Sequence, residues 1–308
     1  MTRLVTTSVV RGSRQGESHG GVYLIDLDRQ HVEQKIDWNT IDIDWQGRGA
    51  DRGLRGIAFD GDIVYIAASD ELFAFTTDFE KSGSWRCPYL KHCHESFTYG
   101  RTLFLTSTGF DSILGFDLDR QAFDRGIHIE SRQFRFKATL FDPCAEDGPL
   151  PLNKLHINSV FCDSNGIYIG GTKTGGMLHF NGRTVLMAAE LPPGTHNARP
   201  FRDGVLFNDT SVNRLRYCGR GEGEEDRAMA VPKYDPRELT HTSLDDSHIA
   251  RQGFARGLCL LSPKVVAGGS SPSTVTIYDL AGNRQLMSVN LTMDVRNAIH
   301  GLEVWPFK

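Results

Sequence analysis

One apolar phrase returns six times along this chain of 308 residues, at intervals of about 40 to 60 residues, the period range of blade and solenoid repeats. The phrase is a strand that ends in an aromatic or aliphatic residue. It reads GGVYLIDLD from Gly20, DELFAFTTD from Asp70, DSILGFDLD from Asp111, GGMLHFNG from Gly175, NRLRYCG from Asn213 and STVTIYDLAG from Ser273. An Asp-Leu pair recurs within it, at Asp26, Asp117 and Asp279.

Ahead of each phrase stands a second strand, almost wholly apolar and ending in hydroxyl or glycine residues. It reads IVYIAAS from Ile63, TLFLTST from Thr102, GIYIGGT from Gly166, GVLFNDT from Gly204 and VVAGGSS from Val265. Such composition fits a strand covered on both faces by neighbouring sheets. The sixth copy, LVTTSVV from Leu4, opens the chain.

A third set precedes these, beginning with polar residues: LRGIAFDG, CHESFTYG, HINSVFCD, HNARPFRD and ARGLCLLS. Its sixth copy, IHGLEVWP, lies at the extreme C-terminus. The repeat is therefore circularly permuted, and a sheet whose inner strand comes last and whose next strand comes first closes by joining the two ends. A ring satisfies this; an open stack leaves both edges bare. The expectation is an all-β six-bladed β-propeller, a single domain over 1–308, with blade one built from 298–308 plus 1–38. A seven-bladed ring is the alternative architecture, with the stretch from Gly219 to Gln252 long enough to hold irregular structure.

Aligned on this repeat, Arg55, His94, Asn158, Arg256 and His300 are equivalent, and Asn197 follows with one residue of slack. In a propeller these strand starts line one mouth of the central channel, where ligands bind. Arg256, His300 and Arg55 then form a basic arc, with His94, His156, Asn158, His196 and Asn197 completing the ring. Two converging guanidiniums call for a planar anion, a carboxylate, sulfate or phosphate, unless Glu95, Glu303, Asp51 or Asp209 neutralises them. Arg55, Asn158, Asn197 and Arg256 are the candidate substrate-binding residues.

The histidines admit three readings. His94, His156, His196 and His300 would supply neutral imidazoles to one divalent metal such as Fe, Zn or Mn, an arrangement similar to the all-histidine iron site of carotenoid oxygenase propellers although no motif is shared. Alternatively His94, His156 and His300 act as catalytic acid and base on a proton beside a carboxylate. Or they only bond backbone carbonyls at the strand starts. The segment from Asp235 to Gln252, with His241, Asp245, Asp246 and His248, would overhang the mouth as a lid or as a solvated loop.

Composition excludes more than it assigns. Acidic residues outnumber basic ones by 38 to 34, so no basic surface suited to nucleic acid is expected. The opening MTRLVTTSVVRGSRQG has no signal-peptide core, and no apolar run approaches the roughly 20 residues of a membrane span; a cytoplasmic protein without membrane contact is the expectation. Six scattered cysteines show neither zinc nor disulfide spacing and read as reduced thiols. Phosphate-loop, nucleophile-elbow and calcium-loop motifs are missing.

The segments LHINSVFCDSNGIYIGGT, GTHNARPFRDGVLFNDT, FARGLCLL and IHGLEVWP together resemble an uncharacterised bacterial propeller family, a domain of unknown function, over most of the chain from Leu54 onward. The resemblance implies the propeller and no activity. From the residues themselves, an enzyme acting on a small carboxylate-bearing metabolite is expected, with lyase or isomerase chemistry preferred because no nucleophile is evident. The other class is a non-catalytic propeller that binds a protein or glycan partner.

Overall fold

Six antiparallel sheets make up the molecule. The computed structural model describes residues 2–40, 53–132, 135–221, 225–242 and 251–307. Consecutive hairpins give each sheet its order, because strands joined by tight turns pair with their sequence neighbours. The one exception is the closing blade, where Asn297–Val304 pairs with Arg3–Val10, which is followed by Gly20–Asp26 and His31–Asp37. N- and C-terminal strands thus share blade one, as the permuted repeat requires.

The inner strands of blades two to six are Ile57–Asp60, Ser96–Tyr99, Ile157–Asp163, Thr195–Phe201 and Gly253–Ser262. Blade three carries a fifth strand, Arg135–Phe141, paired outside Ala122–Arg132. Blade five finds its outer strand at Arg227–Ala230, inside the stretch in which a seventh blade would have had to lie.

The core falls into six apolar clusters, and each one bridges two adjacent blades. Val5, Val64, Phe73 and Trp305 join blades one and two, while Tyr65, Leu105 and Phe116 join two and three. Ile113 and Ile169 link three with four, Met177 and Phe207 four with five, Leu215 and Tyr278 five with six. Leu4, Cys259 and Ile299 join blade six back to one. Six blades with six shared clusters close a ring, and burial on both sheet faces explains why the second strands read as unbroken apolar runs.

Blades one and two meet tightly at the mouth. The Thr7 hydroxyl donates to Arg55 O and accepts from Gly301 N at 2.8 Å. A Cβ on Gly301 would overlap Arg55 O, so glycine permits the close approach that seats Arg55.

All six cysteines are free. Among the described residues no helix is long and apolar enough to cross a membrane.

Candidate functional site

The mouth of the channel is shaped by irregularities in the inner strands. In blades one, four, five and six the inner strand holds an extra residue against its partner, between Ile299 and Leu302, Ile157 and Ser159, His196 and Arg199, and Gly253 and Arg256. A bulge breaks strict alternation and re-aims side chains. His156, Asn197 and Phe254 lie at φ 55°, 52° and 48°, left-handed values that cost a side-chain-bearing residue energy and cluster at functional sites. By this means residues close in sequence turn towards one opening.

Four imidazoles gather there. From the His94 ring, the centroids of His156, His196 and His300 lie 5.4, 6.2 and 6.3 Å away. Each ring is anchored through Nδ1. His94 Nδ1 sits 2.7 Å from His92 O and 2.9 Å from Thr108 Oγ1. His196 repeats the pattern with Gly194 O at 2.9 Å and Thr210 Oγ1 at 3.0 Å. His300 Nδ1 faces Ala298 O at 3.2 Å, and His156 Nδ1 faces Asn153 Oδ1 at 3.0 Å. The backbone of His156 is held as well, since the Asp111 carboxylate accepts from Leu155 N at 3.1 Å and His156 N at 2.8 Å.

Burial first, and the Arg55 or Arg256 guanidinium next, push His94, His196 and His300 well below the ordinary imidazole range. His156 falls to about 4, again through burial and then Arg256. At neutral pH all four rings are therefore uncharged.

The cationic side is richer than the two arginines of the repeat. Arg256 Nη1 donates to His300 Nε2 at 2.9 Å, and Arg256 Nε is buried without a partner. No carboxylate among the described residues pairs with Arg256. Burial, then Arg55 and Arg251, bring its pKa down to about 9. Arg11 and Arg251 cover the Phe254 ring at 4.1 and 4.2 Å, with Arg256 at 5.6 Å. Arg11, buried at the end of the second strand of blade one, is lowered well below its usual value by burial, then by Arg256, Arg55 and Arg251. Arg55 is buried and donates to Cys93 O at 3.0 Å.

Of the acids expected near these arginines, Glu95 and Asp209 pair with other arginines. Glu95 pairs with Arg199 at 3.4 Å and also accepts from Asn197 Nδ2 and Val160 N. Asp209 pairs with Arg216 at 3.0 Å. Glu303 feels Arg199 and Glu95, and burial raises it to about 7; Asp51 lies outside the described residues.

The amides of Asn158 and Asn197, expected at the ligand, form hydrogen bonds within the channel wall. Asn158 donates to Thr195 O and accepts from Ser159 Oγ. Asn197 donates to Glu95 and accepts from Asn208 Nδ2 and Gly257 N. Both amides tie neighbouring blades together, because an amide inside a channel wall meets backbone groups of the next blade before it meets the pore. Of the lid segment, Ser243 to Ala250 lies outside the described residues, while His241 is exposed beside Asp294 at 3.3 Å.

Among the described residues no group of three or more His, Cys, Asp or Glu side chains is arranged to hold a metal ion. Arg256 donates to His300 Nε2, so the lone pair of that imidazole is engaged. Beneath the histidines the channel narrows to a cavity of about 10 Å³ lined by His94, Glu95, Asn197, His300 and Glu303, room for about one water.

Arg11, Arg251, Phe254, Thr108, Thr210 and Asp111 complete the site beyond the aligned strand starts. The hydroxyl endings of the second strands, TST and NDT, carried the signal for the two threonines.

Solved structures that match nearly the whole chain include the following two. A crystal structure of a nidogen/laminin complex aligns with 99% of this chain and 98% of that one at 12% identity and a TM-score of 0.60. A protein of unknown function from Bacteroides caccae aligns over 99% of both chains at 10% identity and a TM-score of 0.59. At such identities the likeness is one of fold. No family model matches the chain, and no curated protein matches it. These findings are consistent with an uncharacterised propeller family.

Proposed function

We propose that this propeller is an enzyme that binds a small carboxylate-bearing metabolite in the channel mouth and moves a proton on it. The observation that carries the reading is Arg256, a guanidinium whose hydrogen bond goes to a neutral imidazole and which has no acid partner among the described residues. A buried charge left uncompensated is costly, and a ligand carboxylate at Arg256, beside Arg55 and Arg11, supplies the missing counter-charge through charge-assisted hydrogen bonds.

Pairing with the guanidiniums offsets the second negative charge that builds on the carboxylate as its α-proton leaves, and a neutral imidazole takes that proton. Since burial and the arginines keep the four histidines uncharged, none is a ready acid at neutral pH. A proton taken from carbon onto Nε2 is then the one available to give back. Isomerisation, in which the same proton returns at the other face or a neighbouring carbon, fits this better than an elimination needing a separate protonated group.

The test is thermal stabilisation by a panel of small mono- and dicarboxylates, in wild type and in Arg256→Gln, followed by assay of the stabilising compounds for exchange of the α-proton with D2O. Stabilisation that depends on Arg256, with exchange lost in the histidine variants, supports the reading. No stabilisation by any carboxylate rejects it. Elemental analysis of protein purified without chelator tests the divalent-metal alternative, in which His94, His156, His196 and His300 would be the ligands.

The flank of blades three and four favours a second reading, a non-catalytic propeller that binds a protein or glycan. Leu140, Leu186 and Met187 are exposed there, and a groove of 980 Å³ carries Arg135, Lys137, Lys173 and Arg183 against Glu190 alone. That reading also requires the channel arginines to be neutralised by Glu95 or Glu303, and the Glu95–Arg199 pair does not do so.

A further inference from the structure

The hydrogen-bonding sense of the histidine ring narrows the ligand, in a step that rests on the carboxylate reading above. Thr108 Oγ1 donates its proton to Ile157 O, so at His94 it accepts, and the His92 carbonyl on the same nitrogen also accepts. Nδ1 of His94 therefore carries the hydrogen, and Nε2 carries the lone pair. His196 gives the same answer, because Thr210 Oγ1 donates to Ala255 O at 2.9 Å. At His300 the partner of Nε2 is a guanidinium, which only donates. His156 faces an amide oxygen through Nδ1.

The protein thus presents acceptors, and one of them is buried without a donor. Nε2 of His196 is buried with no partner, and the hydrogen bonds of His94 and His156 all run through Nδ1 or backbone N–H. A plain carboxylate would answer Arg256 and leave the buried His196 lone pair bare. Its carbon chain would do no better, since an unsatisfied buried acceptor is costly. We infer that the ligand is a hydroxycarboxylate, whose carboxylate lies at Arg256 and whose hydroxyls donate to Nε2 of His196, His94 and His156. The same imidazole that accepts a hydroxyl beside the carboxylate stands next to the α-carbon, which joins recognition to the proposed proton transfer.

Matched pairs test this: glycerate against propionate, and gluconate against hexanoate, titrated calorimetrically into the full chain treated with chelator. At least one hydroxy acid should bind about tenfold more tightly than its deoxy counterpart, the sum of two ordinary hydrogen bonds. That ratio should collapse towards one in His196→Phe. Should His196→Phe fail to fold, long-range 1H–15N spectra of the wild type give the second readout. They should show Nδ1–H tautomers throughout and movement of Nε2 resonances with the hydroxy acid only. If both members of every pair bind equally and Arg256→Gln weakens both, the hydroxyl inference falls and the carboxylate reading stands. If no acid binds, both fall. If a stoichiometric metal is found whose removal abolishes binding, the lone pairs belong to the metal and the hydroxyl inference is overturned.

Discussion

Replacing Arg256 by Gln should make the ligand-free protein more stable, although most substitutions in a propeller channel destabilise. The charged form is disfavoured in the folded state, which lowers the Arg256 pKa from its usual value to about 9, equivalent to ~5 kcal/mol of folding free energy. The sign follows from linkage: a cation whose folded pKa is depressed penalises folding in full below about 9, and the penalty fades as pH rises towards the unfolded value. At pH 7 the whole penalty applies. Water in the partly open mouth screens some of it, and Gln loses part of the bond to His300, about 1 kcal/mol.

A net gain of ~2 kcal/mol remains, which for a chain of this length raises Tm by about 4 °C. Urea unfolding and differential scanning calorimetry of the apo protein at pH 7 and low salt measure it. Addition of a binding carboxylate should reverse the order, because occupancy at about 100 times Kd stabilises wild type by ~2.7 kcal/mol and leaves the variant unchanged. If Arg256→Gln lowers Tm in the absence of ligand, the guanidinium is compensated from within the protein and the argument for an anion at the mouth is refuted.

Acidification should destabilise the protein between pH 6.5 and about 4, because the unfolded chain takes up protons there that His156 and its buried neighbours refuse; each such histidine contributes a slope of about 1.4 kcal/mol per pH unit, and a His196→Gln Tm profile from pH 7.5 to 5 should be flatter. Glu303→Gln should act in the opposite window: a carboxyl raised to about 7 penalises folding as pH climbs from the unfolded value, so the variant gains stability at pH 8 and none at pH 4 in parallel melts. Asp111→Ala should cost about 2 to 4 kcal/mol by stranding backbone N–H groups of Leu155 and His156, measured by urea titration, with weaker carboxylate binding because His156 loses its anchor. Thiol titration of native protein should find Cys144, the exposed cysteine, reacting ahead of Cys93 and Cys162, whose thiols burial pushes up to about 12.

What the residues disclose in order is the ring, and the reason is that blade periodicity is written in burial. A strand covered on both faces must be apolar throughout, so IVYIAAS, TLFLTST and GVLFNDT announce themselves, and a last segment equivalent to inner strands can only close onto the first. Alignment of those strands also brings out Arg55, His94, Arg256 and His300, because equivalent positions of a ring face one axis. The limits of that alignment are equally physical. It treats each inner strand as regular, whereas four of them carry an extra residue at the mouth, and a bulge leaves no mark in composition when its left-handed residue is His156 or Phe254 in place of glycine.

The same limit explains the asparagines and the missing arginines. Asn158 and Asn197 stand at the right height in the repeat, yet which way an amide turns depends on the carbonyl offered by the next blade, a non-local fact that spacing does not encode. Arg11 and Arg251 lie outside the inner-strand phrase altogether, one after a second strand and one before Gly253, and only the closed ring brings them to either face of Phe254. Their arrival changes the chemistry of the mouth. With His300 held by Arg256 and every imidazole kept neutral by burial first and the nearby guanidiniums second, the four histidines differ in what they offer a ligand. In the reading proposed above they act as acceptors beside a cationic wall, whose charge attracts an anion.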